Sequence, residues 1–436
     1  MRGTVTRPAI SGGEWIETDG SRRPEPVKLV VEKTGRLSGA VTAPPSKSHT
    51  HRAVMIASLA SGTSTIENPL LSGDCIATLD ACRQFGAKLD AGDVLRITGV
   101  GGKPRTPYSE IDVKSSGTTI RFLTAVSALC DGVTNLTGDS SIRARPLGPL
   151  LRSLTDLGAT SAESLDGNDC PPVAITGKLR GGRTVIDGYS SQFISALLVA
   201  CPLAGAGSEI EARNLRSRPY VRMTLEHLKR AGAKVRQDEL KMFHIEGNQC
   251  YEPLNYTVLG DHSSAAFLRA AARVTDSEIE VLGLDETDEQ GDRAITGMIR
   301  ELDSGDRREL DLRDMPDLLP VLAVLGCHAD GTTILRNARH ARHKESDRIS
   351  AICAELKKMG ADIEERPDGL VVRGSGLLGA NLDGHGDHRI VMALAVAALD
   401  ARGTSVINDA ETLSKSYPGF VDDLARLGAK IRVVKD

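Results

Sequence analysis

The chain has 436 residues, 40% apolar, 26% charged and 3% aromatic, with a net charge of −4. That is chain enough for a real core without staples, and length alone suggests about three domains. The balance of charge excludes a protein held to nucleic acid by phosphate neutralisation, and so few aromatics leave little for base stacking. The longest apolar run, 390–399, is too short to span a bilayer. Eight cysteines fall in no C-x-x-C or zinc-like spacing, which fits a reduced, cytoplasmic interior.

In chain order, residues 1–27 come first. They lack an apolar signal core and read as a flexible extension outside the fold. The remainder repeats itself. A helix-ending Gly-Ala recurs at Gly86, Gly158, Gly232, Gly360 and Gly428, at intervals of 72, 74, 128 and 68 residues. The long interval is nearly two short ones, so a degenerate copy is expected near Gly305. A second marker, a small residue followed by a β-rich stretch, runs in step at Gly62, Gly132, Gly207, Ser277, Gly331 and Gly403. The chain therefore reads as six βαβαββ units of roughly 70 residues. The first helix of each unit is apolar nearly all round, as in HRIVMALAVAALD, and should lie buried. The second is amphipathic, as in VRMTLEHLKRAG, where Val221, Leu225 and Leu228 share a face. Six units exceed one core, so two α/β domains of three units are expected.

The segments that open the first helices are PPSKSHTHR (44–52), KSSGTTIR (114–121), YSSQF (189–193), GDHSS (260–264), DMPD (314–317) and GDHR (386–389). Helix N-termini bind anions, and Ser, Thr and Asp are also ordinary caps there. Capping alone does not account for Lys47, Arg52, Arg121 and Arg389, because cations at a helix N-terminus oppose its dipole. A second set of cations follows the middle strand of four units: Arg143 and Arg145, Arg216 and Arg218, Arg342, Lys344 and Arg348, and Lys415. Isolated charges of this kind usually just face solvent, but recurrence at one position suggests a small polyanionic ligand. Asp317 and Glu345 are the acid–base candidates beside that charge.

Other signals fail. GSGLLG (374–379) fits a dinucleotide pattern without the helix that should follow it, and PPSKS lacks the glycines of a phosphate loop. His49, His51, His340 and His343 come in close pairs with no third ligand, so no metal and no cofactor is expected.

The motifs SKS-x-x-x-R (46–52), SGTT-x-R (116–121), RARP (143–146), SSQF (190–193), SRPY (217–220), PD (316–317), KESDR (344–348), DHR (387–389) and LSKSYP (413–418) fall in order along the chain. In them the chain resembles the 5-enolpyruvylshikimate-3-phosphate synthases from about residue 28 onward. The resemblance implies an inside-out barrel of three units per domain that closes like a clam over its substrates. Residues 46–259 would form the upper domain, and 28–45 with 260–436 the lower one. It implies transfer of the enolpyruvyl group of phosphoenolpyruvate to the 5-hydroxyl of shikimate 3-phosphate, by addition and elimination through a tetrahedral intermediate. By the same resemblance, Lys47, Ser48, Arg52, Ser190, Ser191, Gln192, Ser217, Tyr220, Asp317 and Lys344 would hold shikimate 3-phosphate. Lys47, Gly117, Arg145, Gln192, Arg348, Arg389 and Lys415 would hold phosphoenolpyruvate. Asp317 would take the hydroxyl proton, and Glu345 would serve the methylene carbon. A monomer working on small molecules alone, with neither nucleic acid nor membrane, is expected.

The sequence departs from the family's usual pattern at Pro44-Pro45, where a glycine is common, at Ser115-Ser116 in place of Asn-Ala, and at His340 in place of Asn. The alternative is a UDP-N-acetylglucosamine enolpyruvyl transferase, which shares the repeat. There an Asn follows the first lysine, where this chain has Ser48, and a loop cysteine takes part. The related RNA 3'-phosphate cyclases would require a basic field that is missing. A catalytically dead scaffold would require loss of a key group, and Lys47, Asp317, Glu345, Arg389 and Lys415 are all present.

Overall fold

The computed structural model describes residues 27–92 and 94–435. The expected N-terminal extension lies outside these residues except for Val27, which opens the first strand, Val27–Glu32.

Six first helices form the framework: Lys47–Leu59, Gly117–Ser127, Ser191–Ala200, His262–Val274, Leu319–His328 and His388–Ala398. Their apolar surface faces protein on every side. In Gly117–Ser127 only Thr118 is incompletely buried, and in Ser191–Ala200 only Gln192. The helix Gly117–Ser127 packs against both Lys47–Leu59 and Ser191–Ala200, and the other three pack on one another. Two cores result. One draws on residues 53–258, the other on residues 29–41 and 266–431. The amphipathic second helices give one face to these cores and the other to the surface, as in Arg218–Arg230, where Val221 and Leu228 are buried and Arg222, Lys229 and Arg230 exposed. Where the Gly-Ala markers end them, Gly86, Gly158, Gly232, Gly360 and Gly428 all have positive φ, as a helix-terminating glycine requires.

Five of the six sheets have four strands in one order: the first strand parallel to the second, the second antiparallel to the fourth, and the third on the edge. Three units borrow a strand from elsewhere in the chain. Asn255–Thr257 pairs in parallel with Thr63–Glu67 and supplies the first strand of unit 1. Ser38–Thr42 pairs in parallel with Glu278–Leu282 and supplies that of unit 4. Val27–Glu32 sits between Thr404–Ile407 and Ile431–Lys435 as the fourth strand of unit 6. Unit 4 is the degenerate copy. Its second helix, Ile295–Leu302, ends near Gly305 as expected. Its closing strand pair is absent, because Arg307–Asp311 already belongs to the sheet of unit 5.

The two passages between the cores run side by side. Pro45 and Gly260 form an antiparallel bridge, with Ser46 N donating to Leu259 O at 2.8 Å and Asp261 N to Pro44 O at 2.8 Å. No helix among the described residues is long and apolar enough to cross a membrane.

Candidate active site

Five of the six first-helix N-termini bring side chains to one cavity. Lys47 and Ser48, Gly117 and Thr118, Ser191 and Gln192, Asp317 and Arg389 all line it. The caps expected there also exist. Ser46 Oγ accepts from His49 N, Ser116 Oγ from Thr119 N, and Asp387 caps its helix by accepting from Arg389 N. Capping and ligand binding thus occupy the same turns without conflict, because the caps are the residues just outside the helix and the cations lie within it.

Seven cations line the cavity, Lys47, Arg52, Arg121, Arg145, Lys344, Arg348 and Arg389, against three carboxylates, Asp74, Asp317 and Glu345. The cations divide into two sets. Arg348 is fully buried and held at every nitrogen. Nε donates to Asp387 Oδ2 at 2.7 Å, Nη1 to Asp317 Oδ1 at 2.6 Å and Nη2 to Glu345 Oε2 at 2.7 Å. Asp317 also meets Arg389 Nη2 at 3.2 Å and Lys344 Nζ at 3.3 Å. Lys47 Nζ donates to Asp74 Oδ2 at 3.0 Å.

Arg52, Arg121 and Arg145 are different: among the described residues, none has a carboxylate partner. Arg52 donates to the carbonyls of Ser48 and Tyr220 and to Thr224 Oγ1. Arg121 donates to Gly117 O at 2.9 Å and Arg145 to Ser141 Oγ at 3.0 Å. The Nε atoms of Arg121 and Arg145 are buried with no partner. A buried charge left without a counter-ion costs several kcal/mol, so three of them on one wall mark a place where the counter-ions come with a ligand. Gly117 leaves room for both: a Cβ there would meet Arg145 Nη1 and Arg121 Nη1, so any larger residue would push the ends of these two side chains aside.

The charges set each other's protonation. Burial alone would raise the proton affinity of Asp317, but Arg389, Lys344 and Arg348 hold its carboxyl far below the usual range. Glu345 is likewise buried, yet kept well below it by Arg348, Arg145, His388 and Lys47. Burial opposes the charge on Lys47, but Asp74 and Glu345 outweigh it and raise its pKa. Asp292, buried behind the cluster, goes the other way. Burial and then the charge of Asp317 push it up to about 6. Burial, with Lys344 and Arg216, pushes His340 down to about 3, so its ring is neutral at ordinary pH.

Of the residues singled out from the sequence, Lys47, Ser48, Arg52, Gly117, Arg145, Ser190, Ser191, Gln192, Ser217, Tyr220, Asp317, Lys344, Glu345, Arg348 and Arg389 all line the cavity. Lys415 does not. It ends the short 3-10 helix Ala410–Lys415, is half-buried, and donates to Gly386 O at 3.2 Å. Arg218 pairs with Asp314 at 2.5 Å and Arg342 with Asp347 at 2.7 Å and Glu365 at 2.8 Å, away from the cavity. Their recurrence in sequence reflects the repeat and not a common task. Sequence reasoning missed Asp74, Thr118, Tyr189 and His343 as lining residues, and Asp387 as the residue that grips Arg348. An acid in the first turn of a second helix, as Asp74 is, reads as ordinary dipole compensation. His340 sits beside Ser217, its Nε2 3.5 Å from Oγ. His49, whose ring reaches Asp288 at 3.0 Å, bridges the two cores.

A cavity lined by buried helix N-termini and an excess of cations, in an α/β fold of repeated four-stranded sheets, suits a protein that handles small anions. The family model for EPSP synthase (3-phosphoshikimate 1-carboxyvinyltransferase) matches residues 31–424, and the chain belongs to that family. The activity that goes with it is 3-phosphoshikimate 1-carboxyvinyl transfer, in aromatic amino-acid biosynthesis. The 3-phosphoshikimate 1-carboxyvinyltransferase of Methanothrix thermoacetophila is 51% identical over 424 residues, covering 93% of this chain and 99% of that one. That of Acetivibrio thermocellus is 44% identical, covering 92% and 99%. The EPSP synthase of Acinetobacter baumannii superposes with a TM-score of 0.78 at 25% identity, covering 94% of this chain and all of that one.

Proposed function

We propose that the cavity binds phosphoenolpyruvate and shikimate 3-phosphate together and that its carboxylates move the protons of an addition–elimination between them. The observation that carries this reading is the excess of cations over carboxylates around one cavity, with three buried arginines lacking counter-ions. Two phosphates and two carboxylates are what such a wall would neutralise.

Lys47, Ser48, Arg52, Ser190, Ser191, Gln192, Ser217, Tyr220, Asp317 and Lys344 hold the shikimate phosphate in this reading, and Lys47, Gly117, Arg145, Gln192, Arg348 and Arg389 the phosphoenolpyruvate. Lys415 would join the latter set by moving from Gly386 when residues 46–259 and 260–436 draw together about the paired passages at Pro45 and Gly260. Asp317 removes the proton of the attacking hydroxyl. It is ionised, as a base must be, but three cations weaken it. Anions that engage Arg389, Lys344 and Arg348 relieve that pull and raise its proton affinity just where the hydroxyl arrives. Glu345 follows the same logic. Phosphate at Arg145, Lys47 and Arg348 weakens the field that keeps it ionised, so it can carry a proton to the methylene carbon and take one back in the elimination. The neighbouring guanidinium groups stabilise the charge on phosphate as it leaves. The chain works as a monomer in the cytoplasm.

The test is phosphate release from phosphoenolpyruvate, with shikimate 3-phosphate and UDP-N-acetylglucosamine as parallel acceptors and chelator present. Release with shikimate 3-phosphate alone is expected. Release with the sugar nucleotide alone would overturn the acceptor.

A further inference from the structure

Beneath the wall formed by units 1 and 2 lies a buried chain of hydroxyl groups that the reaction scheme does not use. His51 Nδ1 meets Thr78 Oγ1 at 2.7 Å, Thr78 Oγ1 meets Thr119 Oγ1 at 2.6 Å, and Thr119 Oγ1 meets Ser116 Oγ at 2.5 Å. All four residues are at most 2% exposed. Thr78 and Thr119 also lie within 3.5 Å of the carbonyl of Asp74, and Ser115 Oγ reaches Asp74 Oδ1 at 3.4 Å. The chain therefore ties three elements at their cavity ends. These are the first helix of unit 1, which carries Lys47, the second helix of unit 1, which carries Asp74, and the first helix of unit 2, which begins at Gly117.

Both functional contacts at that junction depend on how the three helices sit. The Lys47–Asp74 pair spans 3.0 Å. Gly117 is pressed so closely by Arg145 and Arg121 that a single added carbon would collide with both. A shift of a few tenths of an ångström between the two units would change where these cations present their charge, and among the described residues Thr78 is the side chain that bonds to both His51 and Thr119.

We propose that Thr78 is a positioning residue for the anion site at Gly117: its hydroxyl sets the register of the helix Gly117–Ser127 against Lys47 and Asp74. This rests on the reading that Gly117 and Arg145 face phosphoenolpyruvate. Thr78→Val keeps the shape and removes the hydroxyl, leaving buried partners unmatched, whereas Thr78→Ser keeps the hydroxyl. Steady-state kinetics are measured with each substrate varied at saturation of the other. For Thr78→Val the KM for phosphoenolpyruvate rises about tenfold, as expected for loss of one well-placed buried hydrogen bond, and the KM for shikimate 3-phosphate stays within about twofold. Thr78→Ser restores both. Thr119→Val, which breaks the chain one link further on, gives the same split and serves if Thr78→Val does not fold.

Unchanged KM values with only a lower kcat, matching a smaller folded fraction, would overturn the proposal, as would equal rises in both KM values or failure of Thr78→Ser to restore them. A rise confined to shikimate 3-phosphate would leave the positioning role standing and overturn the placing of phosphoenolpyruvate at Gly117.

Discussion

The two walls of the cavity handle charge in opposite ways. On the side of units 1 to 3, Lys47 pairs with Asp74, but Arg52, Arg121 and Arg145 are held by carbonyls and hydroxyls and, among the described residues, by no carboxylate. On the side of units 5 and 6, Arg348, Arg389 and Lys344 share Asp317, Glu345 and Asp387 within 3.3 Å. The first wall is a receptor whose charge does not depend on what arrives. The second is a balanced network in which an incoming anion competes with internal carboxylates and so alters their proton affinity. Division of the work between binding and proton transfer follows from that difference.

The largest effects are expected where the balanced wall is broken at its proton carriers. Asp317→Asn and Glu345→Gln should each fold normally and lower kcat by about two to four orders of magnitude, while titration calorimetry still shows shikimate 3-phosphate binding. Loss of binding along with turnover would make Glu345 a ligand holder, and would leave Asp317 with its holding role alone and no proton transfer. Next comes the grip on Arg348. Asp387→Asn leaves a buried guanidinium short of one of its three counter-charges and should destabilise the fold by about 3 kcal/mol, read as a lower midpoint in urea.

The receptor wall should respond in affinity and hardly in stability. Gly117→Ala drives a carbon into Arg145 and is expected to raise the KM for phosphoenolpyruvate by about one to two orders of magnitude, with little change in melting temperature. An equal loss of stability would show that the close approach is structural.

The pH dependence of stability separates the walls further. Asp317 is depressed in the folded state, so the stability it contributes is fully present above its unfolded value, about 4, and is lost as pH falls toward its much lower folded value. The difference in melting temperature between wild type and Asp317→Asn should therefore be constant from pH 7 to about 5 and narrow below about 4. A difference that narrows above pH 5 would contradict the depression. The smallest effect is expected at Arg342, whose partners lie away from the cavity. Arg342→Gln should leave kcat/KM within about twofold and cost about 1 kcal/mol or less.

Much of this architecture was legible because it is written in spacing. The Gly-Ala markers fall where helices end in the left-handed conformation, and that local requirement survives in sequence whatever the tertiary context. The false dinucleotide pattern at 374–379 was also legible, since it leads to the strand Asn381–Leu382 and not to a helix. Borrowed strands were harder to read. Asn255–Thr257 and Ser38–Thr42 are too short to show a periodicity and are fixed by partners about 190 and 240 residues away. The missing hairpin of unit 4 left only an irregular interval. In the site, clustered cations were legible because they violate a helix rule. Asp74 and Asp387 were not, because each obeys one. Asp387 is a good cap and Asp74 a good first-turn acid, and nothing local reveals that their carboxylates also fix Lys47 and Arg348.

One strand has a consequence for the order of events in synthesis. Val27–Glu32 is translated before the rest of the fold, yet both its neighbours in the sheet, Thr404–Ile407 and Ile431–Lys435, follow far later in the chain. While the strands of residues 46–259 emerge and pair among themselves, this strand must wait with unpaired edges until Thr404–Ile407 and Ile431–Lys435 have been made. Those two strands then enclose Val27–Glu32 from either side, so Ile431–Lys435 acts as the clasp of the sheet. A nascent chain stalled short of them would hold one finished half and one half still open.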